Sequence, residues 1–306
     1  MKTASALTIW VLALLSPTTA YDGDVGIAGP PNDINVEEWE SYFKTPNATG
    51  TYAFDAYNVS TPFPPKETVG GWKATIAVAA NVTGDEDDNY PVTSISITAP
   101  EDMKLPAIND SRRSNESDWH VCVAFWTPKA LDDDAIDDGQ DDDGSCSSFL
   151  SDDCIEALNG EGNGYFWNST NDNGCGLLPD IPEQCEDYFS DDASTYGFSL
   201  IVGANLSLLD GKPLIAVRPG PNGLGVDEDE AYDNAVRGIW TVIVNWGRRD
   251  PTEWRTPDEM PVASLLCLRA SNVTEGSVNP NAAERLGLDG TFTLFIALVA
   301  SSFLLY

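Results

Sequence analysis

The chain has 306 residues, of which 49 are acidic and 16 are basic, so its formal net charge at pH 7 is −33. Such a negative surface repels nucleic acid and anionic lipid headgroups, which excludes both as partners and suits a soluble extracellular protein. A chain of this length can bury one large core or two smaller ones.

The first twenty residues are predicted to be a secretory signal. Lys2 gives a positive start, the run 4–15 is apolar, and the small residues Thr18 and Ala20 precede the expected cleavage site. The mature chain would then begin at Tyr21.

Residues 21–70 are predicted to form an arm, a short helix and a first strand. A Gly/Pro arm covers 21–32, and Asn35 with Glu38 three residues later resembles a capping box that opens a helix. Trp39 and Phe43 would share one face of that helix.

Alternation of apolar and polar residues then predicts eight strands. They are the runs 51–57, 72–79, 94–98, 119–126, 196–203, 213–218, 237–246 and 262–270. In 119–126, Trp119, Val121, Val123 and Phe125 share one face. The fold class is therefore mainly β, an antiparallel β-sandwich of Ig-like or jelly-roll-like type, with the sandwich domain over 71–270.

A disulfide-stapled, partly helical insertion is predicted over 132–195. It contains an acidic run, four cysteines and two helix candidates, one over 151–159 that ends at Gly160 and one that begins at Pro182.

The six cysteines indicate disulfide bonds in an oxidising compartment. Cys146, Cys154, Cys175 and Cys185 are expected to pair among themselves in an arrangement that spacing leaves open. Cys122 and Cys267 would then pair with each other. Zinc is rejected as the alternative, because no C-x-x-C pair is present.

The single histidine, His120, removes most catalytic hypotheses. Multi-histidine metal sites are impossible, no G-x-S-x-G elbow exists, and His120 falls within a predicted strand, where we expect a structural role. Glycoside hydrolysis that uses only carboxylates remains a hypothesis. The acidic segment 227–233 and Glu253 are candidates of low specificity for its catalytic carboxylates. No catalytic residue and no cofactor is assigned.

The run 132–143 holds eight aspartates, which attract calcium. Only Asp141 and Asp143 fit the EF-hand spacing, because position 139 is Gly and position 150 is Leu. We expect a self-repelling, solvated loop here, and weak calcium binding as the alternative. The segment 227–233 is likewise expected to be a solvated loop.

Tyr165, Phe166 and Trp167 lie in a Gly/Asn-rich segment, 160–176. Aromatic faces can stack on sugar rings, but burial under the insertion is the favoured interpretation.

N-glycosylation acceptors occur eight times behind the predicted secretory signal, which predicts a heavily glycosylated surface. They are Asn47, Asn58, Asn81, Asn109, Asn115, Asn168, Asn205 and Asn272.

The C-terminal region is predicted to direct attachment of a glycosylphosphatidylinositol anchor at Asn281. A linker over 271–281 leads to the small triplet 281–283, a polar spacer follows, and an apolar tail covers 292–306. The tail is 15 residues long, whereas a spanning helix needs about 20. Residues 282–306 would be removed, and a short tail anchor is the alternative.

The acidic, sequon-rich ectodomain resembles uncharacterised secreted surface glycoproteins of filamentous fungi. The resemblance lies in the segments WHVCVAFW, DDDGSCSSFLSDDC and SLLCLRA, and it implies no activity.

The sequence therefore predicts a lipid-anchored surface or wall protein on the outer face of the plasma membrane. Its expected partners are the glycolipid of the outer leaflet and wall polysaccharide or other surface proteins. The leading hypothesis is a non-catalytic structural or glycan-binding role. The alternatives are a carboxylate-only glycosidase or transglycosylase and a cation-dependent adhesion module.

Overall fold

The computed structural model describes residues 25–27, 36–64, 67–83, 89–106, 119–167, 178–203, 205–218, 228–248 and 262–274. Two antiparallel sheets dominate this part of the chain, which confirms the predicted mainly β class. The predicted signal and anchor segments, Asn109, Asn115, Asn168, Cys175 and Glu253 lie outside the described residues.

The first sheet has six strands in the order β1-β7-β4-β3-β2-β10. Its strands are β1 (Val25–Ile27), β2 (Ala48–Tyr57), β3 (Thr68–Thr83), β4 (Asn89–Thr98), β7 (Asp210–Val217) and β10 (Asn272–Val273). The second sheet has four strands in the order β6-β5-β8-β9. They are β5 (Trp119–Trp126), β6 (Gly197–Gly203), β8 (Trp240–Arg248) and β9 (Val262–Leu268).

All eight predicted strands are present, and β1 and β10 are additional short edge strands. The run 237–246 was placed too early, because Arg237 ends a helix and β8 begins at Trp240. Gly238 allows this change of direction where a side chain would collide with Pro128.

The main core lies between the two sheets. The predicted inward face of β5 consists of Trp119, Val121, Val123 and Phe125. These residues belong to the same buried cluster as Trp72 and Ile76 of the first sheet. Trp72 and Trp246 meet across this core with ring centroids 4.9 Å apart. Burying such rings removes large apolar areas from water, so this layer supplies most of the hydrophobic stabilisation.

Helix α1 (Val36–Tyr42) covers part of the outer face of the first sheet. Trp39 is 3% exposed and packs with Ala79, Val82 and Val92. Its ring centroid is 4.6 Å from that of Phe43, as the i, i+4 spacing predicted.

The insertion covers the outer face of the second sheet. It contains helices α2 (Asp133–Asp138) and α3 (Asp152–Trp167) and short 3-10 turns, and its buried residues form a second core with Trp126 and Ile243. Because β5 is covered on both faces, all eight of its residues are buried. His120, at 4% exposure, is among them.

Two helix predictions in the insertion were wrong in detail. Helix α3 continues through Gly160 to Trp167. Gly160 is exposed and has an ordinary helical backbone, so it does not end the helix. Pro182 precedes a single 3-10 turn, Glu183–Cys185, as its N-cap and is not the first residue of an α-helix.

The predicted Cys122–Cys267 disulfide is wrong. Cys146 of the insertion pairs with Cys267 of β9, and Cys154 pairs with Cys185. Cys122 is also disulfide-bonded, to a partner outside the described residues. No free cysteine occurs in the described part of the chain.

Strand order explains the correction. Cys122 lies opposite Asn245 and Cys267 lies opposite Thr241, on the two sides of β8. Two inter-strand spacings alone separate such strands by about 10 Å, whereas disulfide-bonded Cα atoms lie about 4.4–6.8 Å apart.

Candidate functional site

The two acidic segments that the sequence singled out meet at one groove. Asp133–Asp138 is helix α2, and Glu228–Arg237 is helix α4. Expecting solvated loops over these residues was therefore wrong.

Apolar residues among the acids explain why these segments fold as helices. Ala135 of α2 is 5% exposed, and Tyr232 and Val236 of α4 are buried at i, i+4 spacing. Packing of one apolar side fixes each helix, while Asp133, Asp137 and Glu230 remain exposed to water.

Helices α2 and α4 are held together by polar contacts. The Arg237 guanidinium lies 2.6 Å from the Asp137 carboxylate. The Gln140 side-chain amide donates to the carbonyl oxygens of Ile136, at 2.6 Å, and Arg237, at 3.0 Å. The ion pair is partly exposed and therefore contributes little stability, but the shared amide fixes the relative position of the two helices.

The groove between these helices has a volume of about 1000 Å³, at the upper end of the range typical of ligand pockets. It opens where β5 ends and β6 and β8 begin. Its walls combine carboxylates, two cationic side chains, an amide, an aromatic ring and apolar groups. They are Pro128, Lys129, Leu131, Asp133, Ile136, Asp137, Tyr196, Glu230, Asp233, Asn234, Arg237 and Gly238.

The chemistry of the groove suits a hydroxyl-rich ligand. Asp133 and Glu230 are exposed carboxylates that can accept hydrogen bonds, Lys129 can donate them, and Arg237 donates to Asp137. Tyr196 offers a partly exposed ring beside them. Alternating donors, acceptors and an aromatic face can bind the hydroxyl groups and the apolar face of a sugar.

Arg269 supports the groove from behind. It is 9% exposed, and its guanidinium donates to the carbonyl oxygen of Gln140. Burial lowers the pKa of Arg269, while the nearby Tyr52 and Asp141 oppose that effect. This buried side chain ties the end of β9 to the insertion.

The acidic run 132–143, where weak calcium binding was the alternative interpretation, ends in residues that form internal hydrogen bonds. The Asp142 carboxylate accepts backbone N–H groups from Gly144 at 2.7 Å, Cys146 at 3.0 Å and Ser148 at 3.2 Å. Hydrogen bonds from the side chain and backbone of Ser145 lower the pKa of Asp143. Among the described residues, no group of three or more His, Cys, Asp or Glu is arranged to hold a metal ion.

The described sequon asparagines do not line the groove, and the side chains of Asn47, Asn58, Asn205 and Asn272 are partly or fully exposed. Asn58 and Asn205 each follow a strand and accept a hydrogen bond from the serine of their own sequon. Asn47 immediately precedes β2, and Asn272 lies in the adjacent strand β10 of the first sheet. Asn81 lies in β3, but its side chain is outside the description, as are those of Tyr165, Phe166 and Trp167.

Asn245 is a fully buried amide on β8, at 0% exposure. It alternates with Val244 and Trp246 of the main core and so faces the insertion, as Ile243 does. Neither amide atom of Asn245 has a hydrogen-bond partner in the part of the chain that the structure describes. An unsatisfied buried polar group costs about 1–3 kcal/mol.

Replacing Asn245 by leucine, which has a similar shape, is therefore expected to raise the free energy of unfolding by about 1 kcal/mol or more. The measurement is urea denaturation beside Asn234→Leu, an exposed control on helix α4 in which any gain comes from helix propensity alone. A lower stability of Asn245→Leu would contradict the unsatisfied-amide interpretation.

Comparisons with known proteins give no relative: no family model, curated protein or solved structure matches this chain. No helix among the described residues is both long and apolar enough to cross a membrane.

Proposed function

We propose that this chain is a glycosylphosphatidylinositol-anchored, N-glycosylated protein of the cell surface or wall, and that its groove binds glycan without transforming it. The observation that carries the binding role is the convergence of α2 and α4 on a groove of about 1000 Å³ with mixed polar and aromatic walls. The surface location is supported by the secretory and anchor signals of the sequence and by its disulfide bonds.

Binding is favoured over catalysis by the way the carboxylates are used. Asp137 is paired with Arg237, Asp133 and Glu230 are exposed, and Asp233 is partly buried. A glycosidase needs one carboxyl group held protonated in an apolar environment near neutral pH. Exposed carboxylates that face water fit hydrogen bonding to hydroxyl groups better.

The surface location is tested on intact cells that express the full chain. Phosphatidylinositol-specific phospholipase C should release the protein from membranes. In detergent phase partitioning, the protein should move from the detergent phase to the aqueous phase after this cleavage. Retention of the protein after complete cleavage of a known anchored control would contradict lipid anchoring.

The groove is tested with the released protein and oligosaccharides of β-glucan, chitin and mannan. We expect saturable binding to one of these by calorimetry, with product lengths unchanged by mass spectrometry. New shorter or longer products would replace the binding role with glycosidase or transglycosylase activity. No binding to any of them would overturn the glycan-binding role.

A matched pair of double variants locates the binding. Asp133→Asn with Glu230→Gln removes two groove carboxylates and should weaken binding by about 10-fold or more, because hydrogen bonds to charged groups contribute about 1.5–3 kcal/mol each. The control, Asp187→Asn with Glu186→Gln, removes the same charge from exposed positions outside the groove. Equal loss in both variants would indicate a general charge effect.

A further inference from the structure

The sequon that begins at Asn47 is fixed in the first sheet. The Asn47 N–H donates to Val78 of β3 at 2.9 Å, and its carbonyl oxygen accepts the Thr274 N–H at 2.8 Å. The side-chain Oδ1 of Asn47 accepts the Ala80 N–H at 2.8 Å. Ala48, the middle residue of the sequon, is fully buried. Neighbours on both sides of the strand therefore hold the backbone and the amide.

The sequon that begins at Asn272 lies at an exposed edge of the first sheet and is held less firmly than that of Asn47. Asn272 is exposed, and it lies on β10, a two-residue edge strand whose neighbour in the sheet is β2. Thr274 of this sequon donates its N–H to the Asn47 carbonyl oxygen at 2.8 Å and its hydroxyl to the Pro46 carbonyl oxygen at 2.6 Å. These contacts lie at the exposed edge of the sheet, where a two-residue strand opens locally at little cost. Asn272 can therefore leave the sheet while the sandwich stays folded.

Glycan transfer requires such freedom. The asparagine Nδ2 forms a bond to the anomeric carbon of a lipid-diphosphate oligosaccharide. The bond from that carbon to the diphosphate oxygen breaks, the lipid diphosphate leaves, and the amide gives up one proton. The acceptor tripeptide must enter the transferase site with its amide group available, which the contacts of Asn47 with Val78 and Ala80 of β3 prevent even when β10 has separated.

We infer that Asn47 accepts a glycan only before the first sheet forms, whereas Asn272 remains an acceptor in the folded protein. Ala80 follows Asn47 by 33 residues, so at about 5–20 residues per second only about 2–7 s separate their synthesis. Modification of Asn47 thus competes with pairing of β2 and β3. The inference rests on the proposed secretion of the chain, but its test does not depend on where the protein resides.

The experiment uses the full chain made without glycans in an oxidising bacterial compartment. The folded chain and the reduced, unfolded chain are each incubated with purified oligosaccharyltransferase and a lipid-diphosphate oligosaccharide. Site occupancy is then measured by mass spectrometry. Short synthetic peptides around each sequon give the intrinsic acceptor strength, and Asn47→Gln confirms the assignment of the modified peptide.

In the folded chain, we expect the glycan occupancy of Asn47 to be at least about 10-fold lower than in the unfolded chain. Both values are first corrected for the intrinsic acceptor strength of the synthetic Asn47 peptide. Occupancy of Asn272 should be similar in both states. Equal modification of Asn47 in folded and unfolded chains would overturn the inference, and so would protection of Asn272 by folding.

Discussion

Replacing both Cys146 and Cys267 by serine is expected to lower the free energy of unfolding by about 4–5 kcal/mol. Their bond joins residues 121 apart in sequence, and a cross-link of that span removes much loop entropy from the unfolded chain. It also attaches the insertion to β9, next to the hydrogen bond from the Cys267 N–H to the Gly144 carbonyl oxygen at 3.0 Å. The measurement is guanidinium denaturation of the oxidised protein and the double variant.

The matched control is the double serine variant of Cys154 and Cys185, which are 31 residues apart. The same entropy relation gives a smaller loss of about 3.5 kcal/mol for that shorter loop. A larger loss in the control than in the Cys146 and Cys267 variant would contradict the assignment of the long-range bond as the main covalent constraint.

The strands could be predicted because each has a core on at least one face. In β5, apolar residues face the sandwich core, and alternating residues such as Ala124 and Trp126 face the insertion. Because both faces are buried, β5 is a nearly continuous apolar run, whereas in β3 the buried Trp72 and Ile76 alternate with more exposed residues and the period of two appears directly in the sequence. The cysteine pairing could not be predicted this way, since it depends on β8 lying between β5 and β9.

The groove was only partly predictable. The sequence identifies both acidic segments, and repulsion among their charges favours loops, whereas burial of Ala135 and Tyr232 stabilises helices there. Nothing in local spacing indicates that α2 and α4, about a hundred positions apart, would meet through Asp137 and Arg237. Tyr196 and Asn234 were missed for the same reason, because their role arises from tertiary contact alone.

Gly50→Ala is expected to lower the free energy of unfolding by about 3 kcal/mol or more. Gly50 faces the sandwich core in β2, and an added Cβ would overlap the backbone carbonyl oxygen of Arg269. That oxygen also accepts the Tyr52 hydroxyl hydrogen bond at 2.7 Å. Moving it would combine the cost of overpacking, about 1–3 kcal/mol or more, with loss of a buried hydrogen bond, about 1 kcal/mol.

Gly160→Ala is the matched control, because the same substitution on exposed helix α3 meets no atom within 4 Å. Alanine stabilises a helix by about 0.5–1 kcal/mol relative to glycine at the same position. The Gly160→Ala variant should therefore be slightly more stable than the natural chain. Thermal denaturation of both variants distinguishes the stability lost through the close backbone contact at Gly50 from the stability change due to backbone entropy. If Gly50→Ala were as stable as Gly160→Ala, β2 and the chain after β9 would not approach as closely as described. The connection through Arg269, which links the first sheet to the groove, would then have to be revised.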